Sequence, residues 1–85
     1  MDIATLQESF RDNTRRRLRE MGMTQTELAR QLGTSHAYVS VMLSGKHAPT
    51  TDTIERVAKI LGVNGLWIVT PIAAENLAEN SSVPA

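Results

Sequence analysis

The sequence predicts an all-α fold, a compact bundle of about five short helices. Three observations carry the prediction. Apolar residues recur at spacings of three and four over most of the chain, and strand-like alternation is nearly absent. Gly22, Gly33, Gly45 and Gly62 each stand where such a run stops, which divides the chain into short segments. The 85 residues include no cysteine, so one small core must be held by helix packing, without disulfides or thiolate metal sites.

The first helix is expected from about Thr5 to Met21. Leu6, Phe10, the methyl of Thr14, Leu18 and Met21 line one stripe, and Gly22 ends it. Asp2 and Glu8 lie toward its positive end and Arg15, Arg16, Arg17 and Arg19 toward its negative end, which suits the helix dipole. Met23 leads into a second helix introduced by Thr24 as N-cap, with Glu27 three residues on to complete a capping box. Leu28, Ala29 and Leu32 form its apolar face, and Gly33 can take the positive φ at which it must stop. Thr34-Ser35 supplies fresh N-cap chemistry. The third helix, from about His36 to Ser44, buries Val39, Met42 and Leu43 and ends at Gly45. The small Ala29 allows the two short helices to cross closely.

Lys46-His47-Ala48-Pro49 reads as a loop. Thr50 or Thr51 caps a fourth helix that reaches about Leu61, with Asp52 in its first turn and Ile54, Val57, Ala58 and Leu61 inward. Gly62 terminates it, and a short fifth helix lies within Val63 to Val69, with Trp67 expected to plug the core or to lie on a dimer face. Thr70-Pro71 can restart a helix. The domain is therefore set at residues 1–69, and residues 70–85 form an extension, a possible dimerisation helix followed by a tail of linker composition.

Net charge is zero, but the charge is segregated. Residues 11–49 hold Arg11, Arg15, Arg16, Arg17, Arg19, Arg30 and Lys46 against Asp12, Glu20 and Glu27, a net of +4, and the remainder carries −4. One basic end can be presented to phosphate, although the same arginines also suit a simply solvated helix face. No apolar run approaches the roughly 20 residues of a membrane span, and no signal-peptide core opens the chain. A cytoplasmic protein is the expectation.

The stretch M-T-Q-T-E-L-A-R-Q-L-G-T-S, followed by Y-V-S and S-G-K, then Pro49, I-E-R-V-A-K-I-L-G-V at 54–63 and Trp67, resembles the phage-repressor family. These are the Cro-like and lambda-repressor-like (XRE) helix-turn-helix proteins. The likeness covers roughly residues 10–69 and rests on an ordered set: Gln25, Ala29, Gly33, Val39, Gly45-Lys46, Pro49 and Leu61-Gly62-Val63. In one place the chain departs from the family. Where such repressors commonly pair an arginine late in helix one with a glutamate late in helix three, this chain has Leu18 and Leu43. Exchanging both members of a semi-buried ion pair for apolar residues is neutral or stabilising, whereas exchanging one strands a charge. The two leucines are therefore expected to meet in the core.

The resemblance implies a sequence-specific regulator of transcription, a repressor that binds duplex DNA as a dimer on a palindromic operator. With Val39 at the centre of the buried face and 100° per residue, Ala37, Ser40, Val41 and Ser44 face outward, with His36 beside them. These five are the expected base contacts in a major groove. Gln25 matches the family glutamine that bonds phosphate, and Lys46 resembles another such contact. Arg15, Arg16, Ser35 and Tyr38 complete the expected phosphate set. The expected dimer surface is Leu66, Ile68, Val69, Ile72 and Leu77, which outnumber what so small a core can bury. The alternative is a protein-interaction module, an antitoxin or controller that keeps the fold for docking onto another protein. Two histidines without metal-ligand spacing, and no polar constellation, leave no expected metal, cofactor or catalytic site.

Overall fold

The computed structural model describes residues 3–46 and 48–71, with side chains from residue 6 onward. Among these residues five α-helices follow in order: α1 (Ile3–Met21), α2 (Gln25–Leu32), α3 (His36–Met42), α4 (Thr51–Leu61) and α5 (Gly65–Val69). The all-α expectation holds. α1 packs on α4 and α5, α2 packs on α3 and α4, and α4 closes against α5.

The caps explain where the elements begin. Thr24 accepts the Glu27 N–H at 3.1 Å, Ser35 accepts the Tyr38 N–H at 3.1 Å, and Thr50, rather than Thr51, accepts the Thr53 N–H at 3.1 Å. Each satisfies one of the orphan donors of a first turn. The capping box at Thr24 is only half made, because the Glu27 carboxylate turns forward to Arg30 and Gln31. α5 lies within the expected stretch and begins at Gly65, after Asn64, whose Oδ1 accepts the Leu66 N–H at 2.7 Å.

One buried cluster joins all five helices. It contains Phe10 and Leu18, then Leu28, Ala29 and Leu32, then Val39, Met42 and Leu43, then Val57, Ala58 and Leu61, and finally Ile68. Leu18 and Leu43 both belong to it, at 5% and 0% exposure, so apolar residues fill the place where the family commonly has an ion pair. Each such side chain contributes roughly 1.5–3 kcal/mol by leaving water.

Three expectations are corrected. Met21 is 40% exposed and leaves the α1 stripe. The chain turns at Gly22, the Met23 N–H bonds back to Leu18 O at 2.9 Å, and Met23 packs on the core instead. α3 ends at Met42, not Ser44. The Ser44 hydroxyl donates to Val41 O at 2.6 Å and accepts the Lys46 N–H at 3.3 Å, local bonds that compete with another helical turn. Trp67 is not the core plug. With α5 starting at Gly65, Ile68 takes that place at 0% exposure, and Trp67 is only partly buried.

Candidate nucleic-acid interface

α2, the turn at Gly33 and α3 form the helix-turn-helix. Gly33 adopts φ 73°, the left-handed conformation that costs residues with a Cβ, and its N–H bonds Arg30 O while Thr34 N–H bonds Ala29 O. This closure reverses the chain, and the burial of Ala29 brings α2 and α3 together. Burial of Val39, Met42 and Leu43 then fixes the rotation of α3. Ala37, Ser40 and Val41 are left exposed along its outer face, as their helical phase requires, and His36 is exposed as the first residue of the helix. Val41 is 47% exposed, an apolar side chain in water with no core to fill. Ser44 is exposed as well, but it lies in the turn after α3 and its hydroxyl is engaged with local backbone.

Four of the five arginines of α1, Arg15, Arg16, Arg17 and Arg19, divide into two pairs. Arg15 and Arg19 are exposed and, with Gln25, Leu18 and Met23, line a cavity of about 250 Å³ at the junction of α1 and α2. Two guanidinium groups and a carboxamide around one depression can grip a phosphate with forked donors. Arg19 was not among the expected phosphate contacts, although its i, i+4 spacing from Arg15 places both on one face. Arg16 and Arg17 face the body of the protein. The Arg16 guanidinium lies over the Trp67 ring, 4.9 Å from its centroid, and Arg17 Nε donates to Leu61 O at 2.9 Å, at the end of α4. Arg16, expected among the phosphate contacts, is thus held against α5 rather than turned outward with Arg15. Lys46 and Tyr38 are exposed, and Ser35 combines its capping role with an exposed position at the start of α3.

On α2, Arg30 donates Nε to Glu27 at 2.9 Å and bonds its other carboxylate oxygen through the guanidinium, while Gln31 donates to the same carboxylate at 3.1 Å. The Arg30 hydrogen bonds, then the Gln31 bond and the Arg30 charge, hold the Glu27 carboxyl at about 2, well below the usual range. The Arg30 guanidinium is raised in return, so its charge is largely answered within α2. Arg56 donates to Leu32 O at 2.8 Å and closes the end of α2 in the way Arg17 closes α4.

The expected dimer surface is only partly on the outside. Leu66 is 74% exposed and Val69 is half-buried, but Ile68 is wholly buried within the monomer and cannot meet a partner. Ile72 and Leu77 lie outside the described residues. Among the described residues no cluster of His, Asp and Glu could hold a metal, and no helix is long and apolar enough to cross a membrane.

A five-helix bundle with an exposed second helix of a helix-turn-helix, flanked by outward cations, defines a DNA-binding class of protein. The helix-turn-helix family model matches residues 15–68, and the chain belongs to that XRE-type family of transcriptional regulators. It is 39% identical over 59 residues to an uncharacterized HTH-type transcriptional regulator, y4dJ, of Sinorhizobium fredii (strain NBRC 101917 / NGR234), a match covering 69% of this chain and 77% of that protein. It is 35% identical over 46 residues to the ImmF control region 10 kDa protein of Bacillus phage phi105, covering 54% of this chain and about half (51%) of that one. Among solved structures it resembles the hypothetical transcription factor NHTF from Neisseria, with a TM-score of 0.79 and 27% identity over 96% of this chain and 90% of that one. The family is one of DNA-binding regulators.

Proposed function

We propose that the protein is a repressor that binds a palindromic operator as a symmetric dimer, with α3 of each protomer in a major groove. One observation carries this reading. The outward face of α3 is small and uncharged, while exposed cations stand at Arg15 and Arg19, beside Gln25 at the start of α2, and at Lys46, a few residues after the end of α3. Such a surface fits a groove between two phosphate strands. Arg15, Arg19, Gln25, Ser35, Tyr38 and Lys46 position the domain on phosphates, and His36, Ala37, Ser40 and Val41 meet base edges. The likeness to a phage control-region protein supports a controlling role. Two-fold symmetry doubles the few base contacts of one module and sets half-sites about one helical turn, roughly 34 Å, apart.

Selection of bound duplexes from a random pool tests the proposal. Enrichment of an inverted repeat with half-sites about ten base pairs apart is the expected result. Enrichment of a single, unrepeated half-site would overturn the symmetric dimer, and failure to retain any duplex at low salt would overturn DNA binding.

A further inference from the structure

We infer that the protein reads its operator chiefly through pyrimidine 5-methyl groups, taken at an apolar cleft beside α3. It accordingly accepts thymine and 5-methylcytosine where it discriminates against uracil and plain cytosine. The inference rests on the proposed placement of α3 in the major groove and specifies what that helix recognises there.

The cleft has a volume of about 140 Å³ and lies between α3 and the loop that enters α4. Val41 and Met42 form one wall, Ala48 and Pro49 the other, Tyr38 stands at the rim, and Thr50 and Thr53 complete the lining, so that most of its surface is apolar. Among the described residues no charged side chain lines it. Val41 belongs both to this cleft and to the outward face of α3, so the apolar surface continues from the cleft onto the base-reading side.

What the face lacks gives the cleft its weight. Bidentate reading of guanine or adenine requires a forked or long side chain, Arg, Lys, Asn or Gln. The outward positions of α3 hold His36, Ala37, Ser40 and Val41. A serine hydroxyl both donates and accepts, so Ser40 is satisfied by the amino group of cytosine as well as by the carbonyl oxygen of thymine. His36 stands at the far end of the face and offers one bond. The hydrogen-bond code of the groove is therefore weakly read, whereas an exposed valine gains only by meeting an apolar group. In the major groove of DNA that group is the methyl on pyrimidine C5, present in thymine and equally in 5-methylcytosine.

The test uses synthetic operator duplexes with the intact protein. Each thymine of the selected half-site is replaced singly by deoxyuridine, and the sensitive position is then remade as cytosine and as 5-methylcytosine opposite guanine. Loss of the methyl should weaken binding about fourfold at one or two positions per half-site, the fold-change that burial of one methyl corresponds to. The 5-methylcytosine duplex should recover about the same factor relative to cytosine. Val41→Ala should erase both differences while leaving the melting temperature unchanged, since Val41 is exposed. Uracil binding as well as thymine at every position, or 5-methylcytosine indistinguishable from cytosine, would overturn the inference while leaving operator binding intact. Failure to bind any duplex would overturn both.

Discussion

Arg16 and Trp67 face one another across the α1–α5 contact, with the guanidinium carbon 4.9 Å from the ring centroid. Next to this pair Arg17 closes the end of α4 at Leu61 O, so half of the α1 arginine cluster holds helices together. Helical phase therefore divides the cluster into a pair that packs on the protein and a pair that faces outward. Arg16→Ala should lower stability by about 0.5–1 kcal/mol, the value of a partly exposed cation–π contact, and leave the salt dependence of DNA binding alone. Arg15→Ala and Arg19→Ala should do the reverse. Each should make the slope of log affinity against log salt shallower by about 0.9 per lost phosphate contact, with little effect on melting. Identical slopes for all three variants would show that the division by phase is wrong.

A second prediction concerns the buried Asn13. Its amide group donates to Trp67 O at 3.1 Å, Ile68 O at 3.1 Å and Thr70 O at 2.7 Å, which ties the carbonyls at the end of α5 to α1. Asn13→Leu removes those donors, most seriously for the buried bond to Ile68 O, at a cost of about 1–3 kcal/mol for each carbonyl left buried and unsatisfied. Asn13→Asp should be worse, because an ionised carboxylate would face three acceptors. Urea unfolding of the two variants checks the order, and a leucine variant as stable as the parent would refute the role.

The parts of this fold that were legible in the sequence are those set by near neighbours. The Thr24, Ser35 and Thr50 caps act over three residues and the closure at Gly33 over three to five, so short-range chemistry exposed them directly. The phase of α3 followed from three buried residues, and with it the outward face. What was not legible depends on distant chain. Asn13 finds its acceptors 54 to 57 residues away, and a polar residue amid an apolar stripe gives no sign of them. That Ile68 rather than Trp67 fills the core depends on how α5 is turned against α1, where Asn13 holds Ile68 O and Arg16 lies over the Trp67 ring. The Ala48–Pro49 wall of the cleft exists only once the loop folds back beside α3.

The pH dependence of stability supplies a third prediction. Glu27 is held at about 2 in the folded protein, against an ordinary 4.5, chiefly by its bonds from Arg30. A carboxyl depressed on folding stabilises the protein above its unfolded value, and the contribution disappears as pH falls from about 4.5 through about 2. The pair is exposed to solvent, so the effect is small and weakened by salt. Melting temperature followed over that acid range should fall less steeply in Glu27→Gln than in the parent. Parallel curves would mean that the Glu27–Arg30 pair contributes nothing to acid sensitivity.

The last prediction separates the two sides of α5. Leu66 is 74% exposed, while Ile68, two residues on, is completely buried, so substitutions of like chemistry at the two positions should have opposite consequences. Ile68→Asp places a carboxylate in the core that joins all five helices. It should unfold the domain, since loss of such a side chain alone costs about 2–5 kcal/mol and an unpaired buried charge adds to that. Leu66→Asp touches no buried surface and should stay within about 0.5 kcal/mol of the parent. If Leu66 is the centre of a self-complementary patch, two carboxylates near the two-fold axis will repel. Sedimentation should then report the monomer, and operator affinity should fall by more than tenfold at protein concentrations where the parent is paired. The half-buried Val69 on the same helix offers a control, since Val69→Ala trims the patch without adding charge and should weaken pairing by a smaller factor. A Leu66→Asp protein that sediments and binds the operator as the parent does would remove α5 from the dimer and require the two-fold contact to be sought elsewhere.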